Sequence, residues 1–122
     1  MADTTHRVLV LTEPGTSTLA GRIDREAAEI LVVVPALASI VEALTGAVDD
    51  RRADAQETAD RLAAELAGTG LRARGVVGAD APLQAIEDSL REFDADEIVL
   101  AMGDDALFEQ AREGLALPVS RV

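Results

Sequence analysis

The chain of 122 residues contains no cysteine, no lysine, no tyrosine and no tryptophan, and only two phenylalanines. Without cysteine there is no disulfide, no thiolate metal site and no cysteine nucleophile. Without lysine there is neither a Walker A phosphate loop nor the lysine of a response-regulator receiver. The one histidine, His6, sits in a polar leader and reads as a solvent residue. Ser17, Ser39, Ser89 and Ser120 therefore have no histidine base, and serine-type catalysis is excluded. Long apolar runs are missing too. The longest, Ile30 to Leu37, is strand-sized and holds Pro35, which is far from a membrane span. With so few aromatics, the core must come from Val, Leu, Ile and Ala, as in helices covering a parallel sheet.

What is present is acidic. Twenty-three Asp and Glu against eleven Arg give a formal net charge of −12. Such a surface repels nucleic acid and anionic membranes and excludes both as partners. With 48% hydrophobic and 28% charged residues the chain is globular. Its length suits a single domain over residues 1–122, with residues 1–6 as a flexible leader. That leader lacks the basic and apolar regions of a signal peptide, so the expected location is the cytoplasm.

Strand and helix periods alternate along the chain. Arg7 to Leu11 reads as a first strand, ended by Glu13-Pro14-Gly15. Thr16 to Asp24 carries Leu19 and Ile23 at i, i+4 and reads as a two-turn helix weakened by Gly21. Glu29 to Val34 is a strand without alternation, buried on both faces and stopped by Pro35. Within residues 36–48, SIVEALTG reads as a helical turn or two closing over the sheet edge. A clear helix runs from Asp49 or Asp50 to before Gly68. Ala55, Ala59, Leu62 and Leu66 form its apolar stripe, and Glu57 and Arg61 lie on its solvent side.

Leu71 to Val77 is the third strand. Next comes a helix capped by Asp80 or Ala81, with Pro82 in its first turn and Leu83, Ile86, Leu90 and Phe93 on one face. Glu97 to Met102 is the fourth strand. Asp104 to Arg112 forms a last helix burying Leu107, Phe108 and Ala111, with Gly114 after it. Leu117 to Val122 is a fifth strand entered through Pro118. The pattern predicts an α/β fold: three α/β/α layers around a five-stranded parallel sheet in the order 3-2-1-4-5. The fifth strand is the element most open to an antiparallel edge.

The stretch VVGADAPLQAIEDSLREFDADEIVLAM, residues 76 to 102, resembles the second half of the universal stress protein domain. There a strand ends in a glycine turn and a helix carrying Ile, and an apolar strand follows the phrase Ala-Asp-x-Ile-Val. Gly78, Pro82, Ala85, Ile86, Ala95, Asp96, Ile98 and Val99 stand where that pattern places them. The layout of the first half, VLVL and then EILVVVPAL, agrees. The resemblance implies a domain of the adenine nucleotide alpha hydrolase type with a role in stress response. A homodimer through the strand Leu117 to Val122 is expected because an exposed apolar edge invites pairing with its copy, with Arg121 expected to offset part of the net charge by pairing with an acidic residue of that copy, and the resemblance points the same way.

Two departures qualify what carries over. The ATP-binding branch holds phosphates with G-x-x-G-x9-G-[ST] after its fourth strand, whereas residues 103 to 117 here contain only Gly103 and Gly114. That branch also has an Asp after its first strand, where this chain has Thr12 and Glu13.

In a doubly wound sheet, ligands sit beyond the C-terminal strand ends at the switch point. A reduced pocket there would draw on Thr12, Glu13, Gly78, Asp80, Met102 and Gly103, with Gly15, Thr16, Asp104 and Asp105 around it. Gly78, Asp80 and Gly103 also suit turns and caps. Glu13, Asp80, Asp104 and Asp105 form either an oxygen-rich Mg²⁺ site or a set of helix-start carboxylates favoured by the helix dipole. The expectation is a stress-protein-like domain with no cofactor, no metal and no catalytic residue, acting through dimerisation or protein contacts. The alternative is a small-molecule or adenine-nucleotide sensor using the reduced pocket.

Overall fold

The computed structural model describes residues 6–14, 16, 19, 29–36, 48–79, 81–103 and 105–121. Five strands, β1 (Arg7–Leu11), β2 (Glu29–Pro35), β3 (Arg72–Gly78), β4 (Glu97–Leu100) and β5 (Val119–Arg121), make one sheet. Their order is β3-β2-β1-β4-β5, and every neighbouring pair is parallel. The fifth strand is thus parallel like the rest. Central β1 and β2 are buried on both faces, which is why VLVL and ILVVV show no polar alternation.

Among the described residues three helices cover the sheet: α1 (Val48–Ala67), α2 (Pro82–Leu90) and α3 (Asp105–Gly114). Alternate residues of each strand feed two separate cores. Val8, Val10, Ile30, Val32 and Val34 pack with Ala55, Ala59, Leu62 and Leu66 of α1. Leu9, Leu11, Leu31, Val33, Ile98 and Leu100 pack with Ala85 and Ile86 of α2 and Ala111 of α3. Burying a Val, Leu or Ile side chain stabilises by about 1.5–3 kcal/mol, and these two layers hold most of the fully buried ones. The chain crosses the sheet one way from β1 through β2 to β3 and returns through β4 to β5. Crossovers of one hand then put α1 on one face and α2 and α3 on the other, as observed.

Element ends differ from the sequence expectation in instructive ways. β4 stops at Leu100, so Ala101 and Met102 lie beyond it. The Ala101 amide still donates to the Leu11 carbonyl at 2.8 Å, the last rung between β4 and β1. β5 begins only at Val119; Pro118 has no amide to give, but its carbonyl accepts from Ile98 at 2.9 Å. α2 starts at Pro82 after Ala81, which supplies no side-chain cap bond, so the preset φ of proline takes the place of a cap. Phe93 falls outside α2 yet is buried in the same core: the chain turns after Leu90, and the Phe93 amide donates to the Ser89 carbonyl at 2.9 Å.

The expected helix over Thr16 to Asp24 lies outside the described residues apart from Thr16 and Leu19. The expected turns within 36–48 lie outside them apart from Ala36 and Val48. Leu19 is fully buried in the core beneath α1, and its amide donates to Glu65 Oε1 at 3.0 Å. Among the described residues no helix is long and apolar enough to cross a membrane.

Candidate functional site

The switch point of this sheet is the gap between β1 and β4, because the chain leaves β1 toward β2 but reaches β4 from the far side. Leu11 pairs with Leu100, so Thr12 and Glu13 emerge beside Ala101, Met102 and Gly103. Gly78 does not join them. It pairs with Pro35 at the end of β3, two strands from β1, a separation of about 10 Å. Asp80, Asp104 and Gly15 lie outside the described residues.

Thr12, Met102, Gly103 and Gly78 each have a structural occupation. Thr12 is fully buried, and its amide extends the β1–β2 ladder to the Val33 carbonyl at 3.0 Å. Its hydroxyl lies 2.7 Å from that of Thr16, which in turn donates to the Glu13 carbonyl at 2.7 Å. A carbonyl only accepts, so the Thr16 proton is committed to Glu13 and Thr12 must donate to Thr16. The two hydroxyls close the turn after β1 and leave Thr12 no proton for a ligand. Met102 is half-buried against the α2–α3 core. Gly103 has φ +90, and a Cβ on it would lie 2.3 Å from Leu107 Cδ2. It is the hinge into α3. Gly78 faces Ala85, whose Cβ would stand 2.5 Å from an added one, and so seats α2 on the sheet.

The rim is less acidic than the sequence order suggests. Arg61 of α1 donates to the Thr16 carbonyl, across 45 positions of sequence. Arg121 of β5 pairs with Asp105 and lies over the Phe108 ring at 5.6 Å, with Arg112 over the same ring at 5.5 Å. Arg121 is thus paired within its own chain. Asp105, one of the four carboxylates considered for Mg²⁺, is bound to that arginine. Among the described residues no group of three His, Asp or Glu could hold a metal ion.

Two features escaped the sequence reading. His6 is no solvent bystander: its Nε2 lies 2.6 Å from Glu97 Oε1, and Nδ1 lies 3.9 Å from Asp96 Oδ2. Asp96 also accepts from the Arg7 amide at 2.9 Å, so these residues knit the starts of β1 and β4. The phrase Ala-Asp-x-Ile-Val gave no sign of it, because the partner lies 91 positions away. The second feature is a pair of open hollows along β3. One, of about 240 Å³, is lined by Glu29, Arg72, Arg74 and Phe93 among others. The other, of about 150 Å³, continues past Arg74 to Val76, Gly78 and the α2 residues Asp88 and Ser89. No family model matches this chain, and no curated protein matches it.

Proposed function

We propose that this chain is a divergent universal-stress-protein-like domain that works in the cytoplasm through protein contacts, chiefly as a homodimer, without ATP and without catalysis. One observation carries the reading. Residues 101 to 118 join β4 to β5, and α3 takes ten of them. The ATP-binding branch uses this span for its glycine-rich phosphate loop, and what remains on either side of α3 is too short to form one. The strand order 3-2-1-4-5 and the helix following Gly78 support the likeness of architecture.

The dimer contact is assigned to residues 117–122, including β5. β5 is a short edge strand, and an exposed edge pairs readily with its own copy. Leu115, Leu117 and Val119 are half-buried around it and supply apolar area at the rim of the α2–α3 core. The net charge of −12 opposes association, so the dimer loosens at low salt, where repulsion is least screened. Light scattering at moderate salt tests the reading. It should report twice the 12.8 kDa chain mass, and deletion of residues 117–122 should leave the monomer. A wild-type monomer at high protein concentration rejects it.

A further inference from the structure

Helix α2 meets β3 where Ala85 packs against Gly78, and its last turn carries Asp88 and Ser89. These two, with Arg74 and Val76 of β3, Leu31 of β2 and Glu92 beyond the helix, line the hollow of about 150 Å³. Arg74 pairs in register with Leu31, so the floor between strand and helix is the apolar layer of Leu31 and Val76. Three polar residues are buried among the described ones: Thr12, Thr58 and Ser89. Thr12 and Thr58 each have a partner, whereas the Ser89 hydroxyl has none among the described residues, although only 9% of the residue is exposed. No side-chain oxygen is sealed away without a partner, so the Ser89 oxygen opens onto the hollow that it lines. A buried hydroxyl left unbonded by its own chain is a position that a ligand or water fills.

The charges around the hollow are of both signs. Arg74 and Glu92 are exposed and line it together, yet they do not pair with one another, and neither has another ion-pair partner among the described residues. Asp88 is already engaged, accepting from Gln84 at 2.8 Å and lying 4.0 Å from Arg91. The wall thus offers one free cation, one free anion and one free hydroxyl above an apolar floor.

We infer that this hollow binds a small amino acid as its zwitterion, with the carboxylate on Arg74 and Ser89 and the ammonium on Glu92. A guanidinium takes a carboxylate through two parallel hydrogen bonds, and the Ser89 hydroxyl donates a third. The ammonium donates to the Glu92 carboxylate, and the C-terminal end of α2 with Asp88 adds negative potential beside it. A lone anion would meet the carboxylates of Asp88 and Glu92, and a lone cation would meet Arg74. Only a molecule carrying both charges has a complement at each end, and having no net charge it is not repelled by a chain of −12. The hollow is smaller than the roughly 300–1,000 Å³ of sites for drug-sized ligands, so it suits glycine or alanine, whose methyl group rests on Leu31 and Val76. It lies beside β3, at the opposite edge of the sheet from β5, and the inference is independent of the dimer reading.

Nuclear magnetic resonance titration of the ¹⁵N-labelled intact chain tests the inference. The probes are L-alanine, propionate with the carboxylate alone, and ethylammonium with the cation alone. L-Alanine should shift the amides of Arg74, Val76, Ser89 and Glu92, with a dissociation constant of about 0.1–1 mM for so small a ligand in an open hollow. Propionate and ethylammonium should each bind at least about tenfold more weakly, since each lacks one charged contact. R74Q, S89A and E92Q should each weaken L-alanine at least about threefold, and R72Q, outside this hollow, should leave it unchanged. Circular dichroism confirms that each variant keeps the fold. No saturable shift up to about 20 mM L-alanine, shifts confined to other residues, or equal binding of propionate or ethylammonium overturns the inference. So does unchanged affinity in R74Q, S89A or E92Q, or an equal loss in R72Q.

Discussion

Gly75 of β3 lies against Ala59 of α1 so closely that a Cβ on the glycine would stand 2.4 Å from the Ala59 carbonyl oxygen and 2.7 Å from its Cβ. The obstruction is helix backbone, which cannot swing aside as a flexible side chain would. Gly75→Val should therefore lift α1 from the sheet and cost about 3 kcal/mol, at the upper end for overpacking. Urea denaturation followed by circular dichroism measures it. A midpoint within error of wild type would show that α1 is not seated through this contact.

His6→Ala should remove the bond to Glu97 across the start of β1 and β4. Both groups are partly exposed, at 40% and 27%, so the expected loss is only about 0.5–1 kcal/mol. Glu97→Gln keeps an acceptor and should cost less. The same denaturation assay ranks the two, and a stability loss in Glu97→Gln larger than in His6→Ala would contradict the assignment.

Titration calorimetry with Mg·ATP should give no saturable heat. Thr12 and Thr16 are bound to one another, Gly103 is filled by Leu107, and α3 occupies the loop span. A dissociation constant in the low micromolar range would establish a phosphate site elsewhere and refute the non-ATP reading.

Arg121→Ala should lower stability by about 0.5–1.5 kcal/mol through loss of Asp105 and the Phe108 ring. It should leave the dimer mass in light scattering unchanged, because Arg121 is held by its own chain. A monomeric Arg121→Ala would return this arginine to the interface.

The architecture was legible in the sequence because its signals are local. Uninterrupted apolar runs marked β1 and β2, the stripe Ala55, Ala59, Leu62 and Leu66 marked α1, and Pro82 marked the start of α2. Strand order followed from right-handed crossovers. Ends were read less well. Phe93 keeps helical spacing with Leu83, Ile86 and Leu90 but reaches the core from a turn, and periodicity does not distinguish the two. Within the site, the neighbours Thr12 and Met102 were foreseen from strand order. The long-range contacts, Arg61 on Thr16 and Arg121 on Asp105 at the rim and His6 on Glu97 at the opposite ends of β1 and β4, join residues 45, 16 and 91 positions apart. No local pattern encodes such pairs.

The strand at the middle of the sheet is the first one synthesised. β1 is flanked by β2 and β4, and its pairing of Val8 with Glu97 spans most of the chain. Loop-closure entropy over that distance is lost before any of the contact is gained, and parallel pairings of this kind fold slowly. On the ribosome, β1 and β2 can meet early, but one side of β1 stays bare until residues 97–100 emerge. The nascent domain therefore holds an apolar strand edge unpaired until β4 is made, and exposed edges of that kind favour aggregation over folding.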